Sequence, residues 1–185
     1  MVAGPNGSGK STLIEALRSN PDVELPRAYI NADDLLRAHR LDTATAQRTA
    51  AELRGRAVSE GRDLMYETVM SHPGKLAELQ AARLRGYHIT IHWVATDDAD
   101  VNVKRVAMRV AAGGHGVPED RIRARYARTM RLAPVALTLA DDALVFDNTR
   151  RGSEGGLDLQ GRLIEGRLSW RRPDQPHGPH AWPQK

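Results

Sequence analysis

The chain has 185 residues, 27 Lys and Arg against 23 Asp and Glu, a formal net charge of +4, 41% hydrophobic side chains and no cysteine. That length suits one α/β domain, the missing thiols exclude disulfides, Cys-based zinc sites and cysteine nucleophiles, and no apolar run approaches the roughly 20 residues of a membrane-spanning helix. The basic excess would ordinarily raise nucleic acid as a partner. Only Lys10, Lys75, Lys104 and Lys185 are lysines, however, so the excess is arginine bias, and with 4% aromatics the stacking platforms of a single-strand binder are absent.

The first motif is Gly4-Pro5-Asn6-Gly7-Ser8-Gly9-Lys10-Ser11, a full match to G-x-x-x-x-G-K-[ST] between Val2-Ala3 and the helical pattern of Thr12 to Leu17. Glycines let successive N–H groups turn inward around phosphates, and the helix N-terminus adds partial positive charge. Asn6, Gly7, Ser8, Gly9, Lys10, Ser11 and Thr12 are therefore expected to bind ATP, with Lys10 on the β and γ phosphates and Ser11 supplying a hydroxyl to Mg²⁺. Met1 to Ala3 leave no room for a secretory leader, so the expected location is the cytoplasm. The same three residues are short for a buried strand of about five, which raises the expectation that the assigned start falls too late. The base-reading N-K-x-D of G proteins, the L-S-G-G-Q of transporter ATPases and an apolar run ending in Asp-Glu are all missing. What remains is the plan of a small kinase.

Ala28-Tyr29-Ile30-Asn31 reads as a short strand, and Ala32-Asp33-Asp34 opens a helix with carboxylates in its first turn. Asp34 suits a capping role; Asp33, at a strand end beside the phosphate loop, is the candidate base for an attacking hydroxyl. A helix over 43–61 buries Ala46, Ala50, Leu53 and Ala57 on one face. Residues 63–68 read as a strand that brings Glu67 and Thr68 to the crevice at the carboxyl ends of the strands, where they are candidate acceptor contacts and Glu67 would either bind the acceptor or orient a Mg²⁺ water. A helix over 73–85 stops at Gly86, and a buried strand over 88–95 carries His88 and His92 as packed histidines. Helices over 98–112 and 118–132 flank a glycine-rich hinge and form an arginine-rich lid over about 98–132, in which Arg105, Arg109 and Arg121 are candidate phosphate or acceptor contacts. A last strand over 143–147 leads to Asn148-Thr149-Arg150-Arg151, positioned to touch adenine or ribose. The segment 151–170 is read as an extension with a hairpin turning at Gln160-Gly161 or Glu165-Gly166, and 171–185 as a disordered tail.

Taken in order, Gly4 to Thr12, Ile30-Asn31-Ala32-Asp33, Glu67-Thr68, Lys104-Arg105-Val106, Gly113-Gly114-His115-Gly116-Val117-Pro118 and Phe146-Asp147-Asn148 resemble the zeta-toxin family of phosphate-loop kinases over residues 1–150. The resemblance implies a mostly parallel, doubly wound α/β kinase fold with helices on both faces. It also implies ATP-dependent phosphorylation of the 3′-hydroxyl of a UDP-N-acetyl amino sugar, and for some members neutralisation by a protein antitoxin. It makes Lys10 and Ser11 the ATP·Mg²⁺ contacts, Asp33 the catalytic base, Glu67 part of the acceptor pocket and Arg105 the first phosphate-stabilising arginine. The family's second arginine falls near His115, leaving Arg109 or Arg121 to substitute, and a further acceptor glutamate falls near Ala51, one place from Glu52. Two other readings stay open: a kinase for another small hydroxyl acceptor, and a nucleotide-binding module whose role is contact with an antitoxin.

Overall fold

The computed structural model describes residues 1–114, 116–150 and 157–173. Seven strands form one sheet in the order β2-β3-β1-β4-β5-β6-β7: β1 (Val2–Ala3), β2 (Ala28–Ile30), β3 (Leu64–Thr68), β4 (Thr90–Ala95), β5 (Asp142–Asp147), β6 (Asp158–Ile164) and β7 (Arg167–Arg171). The first five run parallel, with Val2 opposite both Glu67 of β3 and His92 of β4. β6 and β7 add antiparallel beyond β5. Six helices connect the strands: α1 (Lys10–Ser19), α2 (Ala32–His39), α3 (Thr43–Ser59), α4 (Gly74–Leu84), α5 (Ala99–Ala111) and α6 (Glu119–Thr138). This is the doubly wound arrangement, in which right-handed crossovers carry helices to both faces and bury parallel strands on both sides.

The alternation of side chains along each strand divides the core. Ala3, Ile91, Trp93, Ala143 and Val145 face α4 and α6, meeting Leu79, Met130, Ala133 and Leu137. Val2, Met65 and Val94 face the other way, onto Leu13 and Ile14 of α1. Each large apolar side chain buried this way contributes about 1.5–3 kcal/mol of transfer free energy. None of the helices described is long and apolar enough to cross a membrane.

Three sequence expectations are changed or narrowed by the fold. Helix α6, read from the sequence as the second half of a lid ending at 132, runs through Pro134 to Thr138. Proline forfeits one helical hydrogen bond, but Ala133 just before it and Ala136 and Leu137 beyond it are fully buried in the core, and that packing carries the helix on. In the extension, the turn is Glu165-Gly166, with both φ angles positive, while Gln160-Gly161 lies within β6. The hairpin is paired to β5 and so continues the main sheet. The region read as a tail begins inside that hairpin, since Arg171 ends β7 and the Arg172 amide donates to Gln160 O at 2.9 Å. Residues 174–185 lie outside the described residues.

Candidate active site

The phosphate loop leaves β1 at the centre of the sheet and returns as α1. Gly7 and Gly9 take left-handed backbone conformations, φ 74° and 102°, which a side chain would resist. The loop carbonyl of Pro5 accepts a hydrogen bond from Lys10 Nζ at 2.8 Å, so the lysine curls across the loop it follows. Burial lowers the pKa of that ammonium, and the nearby charges of Glu67 first and Asp33 second act to raise it. Glu67 Oε1 lies 3.7 Å from Lys10 Nζ. Its other oxygen accepts from Ser11 Oγ at 3.3 Å and from Asn31 Nδ2 at 3.4 Å. Three strand ends, β1, β2 and β3, thereby converge on one carboxylate.

Asn31 also explains the placement of Asp33. Its side-chain oxygen caps α2 by accepting from the Asp33 amide at 2.8 Å, so the Asp33 carboxylate is spared from capping and lines the crevice. Asp34 turns away to pair with Arg37 at 2.6 Å on the exposed surface. The crevice has a volume of about 650 Å³. Asn6, Gly7, Lys10, Asn31, Asp33, Glu67 and Thr68 form one side of its lining, and Arg48, Arg54, Lys75, Arg109, Arg125 and Arg128 bring positive charge to it.

The expected residues do not all meet there. Thr68 lines the crevice, but its hydroxyl accepts from Met70 N at 3.1 Å and its carbonyl from Gly4 N at 3.2 Å, so it supports the loop. Ser11 and Thr12 are exposed on the first turn of α1, outside the crevice lining. Arg109 of α5 lines the crevice and its charge reaches Lys10. Arg105, one turn earlier, is instead directed at the Thr149 carbonyl, 3.4 Å from its Nη2. Arg121 is exposed on the first turn of α6 and is not part of the lining, which α6 supplies through Arg125 and Arg128. The helix enters the crevice only after that turn, whose neighbour Arg123 is occupied with Asp100 at 2.5 Å and Glu119 at 2.8 Å.

Sequence reasoning missed a partly buried ion network in the crevice lining. Arg54, 8% exposed, forms a two-pronged pair with Glu78 at 3.0 and 3.3 Å and lies over the Tyr66 ring, while Lys75 joins Glu78 at 2.5 Å. The available signal was that Arg54 falls at helical spacing on the same face as Ala46, Ala50 and Ala57, the face on which it, and not the 39% exposed Leu53, is buried. It also assigned Asn148 to the nucleotide base or ribose, whereas its Nδ2 donates to Ser8 O of the phosphate loop at 2.7 Å.

Hard oxygen donors suited to Mg²⁺ are present: Ser11 Oγ and the Glu67 carboxylate are adjacent, and this ion is commonly held by one or two protein oxygens plus phosphates and water. Among the described residues there is no cluster of three or more His, Asp or Glu that would form a separate metal centre.

An uncharacterised Haemophilus influenzae protein is 26% identical over 123 residues, covering 66% of this chain and 88% of that protein. The AvrRxo1-ORF1:ORF2 complex with ATP superposes with a TM-score of 0.64 at 13% identity, over 91% of this chain and 58% of the other. The PezAT toxin–antitoxin system of Streptococcus pneumoniae gives 0.53 at 14% identity, over 84% and 68%. At such identities these solved structures establish the fold, and this chain spans about three fifths of the AvrRxo1 chains it matches. Residues 1–151 match the Zeta toxin family, and the chain belongs to it.

Proposed function

We propose that this protein is an ATP- and Mg²⁺-dependent kinase that transfers the γ-phosphoryl group to a hydroxyl of a small, phosphate-bearing acceptor of the nucleotide-sugar type. The observation that carries the reading is the convergence of Lys10, Asn31, Asp33 and Glu67 in a crevice whose other charged lining groups are mainly cationic. Seven cationic side chains and three carboxylates line it, a balance that suits an acceptor carrying phosphate of its own.

Lys10 and the inward N–H groups of the loop hold the phosphates of ATP, and Ser11 with Glu67 would hold the metal. A bound Mg²⁺ would supply charge compensation on the phosphate oxygens. Asp33 accepts the proton of the acceptor hydroxyl as its oxygen forms a bond to the γ-phosphorus and the bond to the β-phosphate oxygen breaks, releasing ADP. Arg109, Arg125 and Arg128 face the same space and offset the charge of the acceptor and of the transferred group. The experiment is incubation with ATP and Mg²⁺ against UDP-N-acetyl sugars, free sugars and nucleosides, read by mass spectrometry. One compound gaining a single phosphate with stoichiometric ADP supports the reading, and a panel with no phosphorylated product overturns it.

A second reading is a partner protein of antitoxin type, supported by the likeness to the PezAT toxin–antitoxin system. It is compatible with kinase chemistry. It becomes the primary role if ATP binds tightly without acceptor-dependent turnover.

A further inference from the structure

A phosphate loop works only if its peptide planes are turned the right way, and two asparagines hold two of them. Asn102, in the first turns of α5, is fully buried and its Nδ2 donates to Asn6 O at 2.5 Å. The orientation of that amide is fixed from behind, because Thr96 Oγ1 at the end of β4 donates to Asn102 Oδ1. Asn148, just past β5, donates from Nδ2 to Ser8 O at 2.7 Å. In a planar trans peptide the carbonyl and the following amide point in opposite directions. Drawing Asn6 O and Ser8 O outward therefore aims the N–H groups of Gly7 and Gly9 toward the concave side of the loop, where phosphate oxygens need donors.

The glycines are matched to these clamps. A Cβ on Gly9 would lie 2.1 Å from Asn148 Nδ2, and one on Gly7 would lie 2.8 Å from the backbone carbonyl oxygen of Asn102, where α5 comes up to the loop. The loop glycines thus do two jobs: they adopt positive φ, and they leave the space through which the clamps approach.

We infer that Asn102 and Asn148 are positioning residues for phosphate binding, each orienting one glycine amide of the loop through the peptide carbonyl before it. The inference rests on the phosphate-loop reading of the previous subsection and adds two residues to it. Its test uses the whole protein and two probes, ATP and inorganic tripolyphosphate, titrated calorimetrically against wild type, Asn148→Ala, Asn148→Asp and Asn102→Ala. Loss of one oriented donor to a charged phosphate should weaken both probes by about tenfold or more. Amide NMR provides a readout that general destabilisation would not move: the Gly9 resonance should shift in the Asn148 variants and the Gly7 resonance in Asn102→Ala, with the other glycine little affected. Weakened ATP binding with tripolyphosphate unchanged would assign Asn148 to the base or ribose and overturn the inference for it. Unchanged affinity for both probes would overturn the inference outright. Should Asn102→Ala fail to fold, the half-buried Asn148 variants and the Gly9 resonance still decide the matter. A wild-type protein that binds neither probe would instead sink the phosphate-loop reading itself.

Discussion

Two cavities of nearly equal size sit at opposite ends of the parallel strands, about 650 Å³ at the carboxyl ends and about 620 Å³ at the amino ends, and they differ in nearly everything but volume. The first is walled by charged groups held by capping bonds and ion pairs from β2, β3, α1 and α4. The second is lined chiefly by apolar residues, among them Val23, Leu25, Val58, Leu64, Met65, Leu79 and Ile89. It also receives Met1, whose ammonium is 2.7 Å from Thr90 O. Strand direction explains the contrast. In a parallel sheet every crossover loop that follows a strand gathers at one end, so side chains with chemistry collect there and the opposite end is left to packing. Arg54 and Glu78 border both spaces and separate them.

The comparison breaks most sharply at Lys10. Lys10→Ala removes the buried cation at the head of the charged crevice, and phosphoryl transfer should fall by about 10²–10³-fold together with ATP affinity, measured by steady-state ADP release. A rate within twofold of wild type would mean the crevice is not the catalytic end. Asp33→Asn keeps the shape and the Asn31 cap, which bonds the Asp33 backbone rather than its side chain. ATP binding should persist while transfer drops by at least about 10²-fold, the low end of a general base's contribution. Equal loss of binding and transfer would recast Asp33 as a structural residue.

The partition between the cavities is the next most sensitive point. Glu78→Ala would leave Arg54 buried without its two-pronged partner and Lys75 without its own. Stranding a buried charge costs about 3–5 kcal/mol, and since Glu78 is 36% exposed a loss of about 2 kcal/mol is expected, seen as a melting point lower by about 5 °C. An unchanged melting point would show that the ion pair does not hold the two spaces apart.

The sequence exposed these two ends unequally. The phosphate loop could be read because its chemistry is local: eight consecutive residues must supply glycine flexibility, a lysine and a hydroxyl in fixed order. The place of Asp33 was readable for a related reason, as a strand end followed by a helix start is a short-range pattern. Arg54, Glu78 and Lys75 were not, because their pairing spans 24 residues between α3 and α4 and depends on how the helices lie. The arginines of α6 show the same limit. One stripe carries Arg121, Arg125 and Arg128, but only where the helix axis meets the crevice decides which of them face it, and Arg121 falls outside. Asn102 and Asn148 act 96 and 140 residues from the loop carbonyls they hold, so no local pattern gives either of them that role, although Phe146-Asp147-Asn148 marked the second as part of a motif. The packed reading holds for His92, half-buried on β4, where burial lowers its pKa to about 4, but not for His88, which precedes the strand and is exposed.

The apolar end makes the last and smallest prediction, which concerns charge where charge is unwelcome. In a polypeptide that begins at Met1, burial lowers the pKa of the terminal ammonium from 8.0 to about 5. The neutral form is therefore favoured in the folded state, and the unfolded chain binds the extra proton between those values. Stability then rises with pH from about 5 to 8, is unaffected by this group above 8, and carries its full penalty below 5. His92, lowered from 6.5 to about 4 chiefly by burial, adds a slope of the same sign but only below 6.5, so the window from 6.5 to 8 reports the terminus. Acetylating Met1 removes the charge and leaves an amide N–H that can still donate to Thr90 O. The acetylated protein should gain at least about 1 kcal/mol at pH 6.5 in urea unfolding and lose the rise between 6.5 and 8, while ATP binding at the opposite end of the strands stays unchanged. A slope that survives acetylation would place its origin in another group and remove the terminus from the contrast between the two ends.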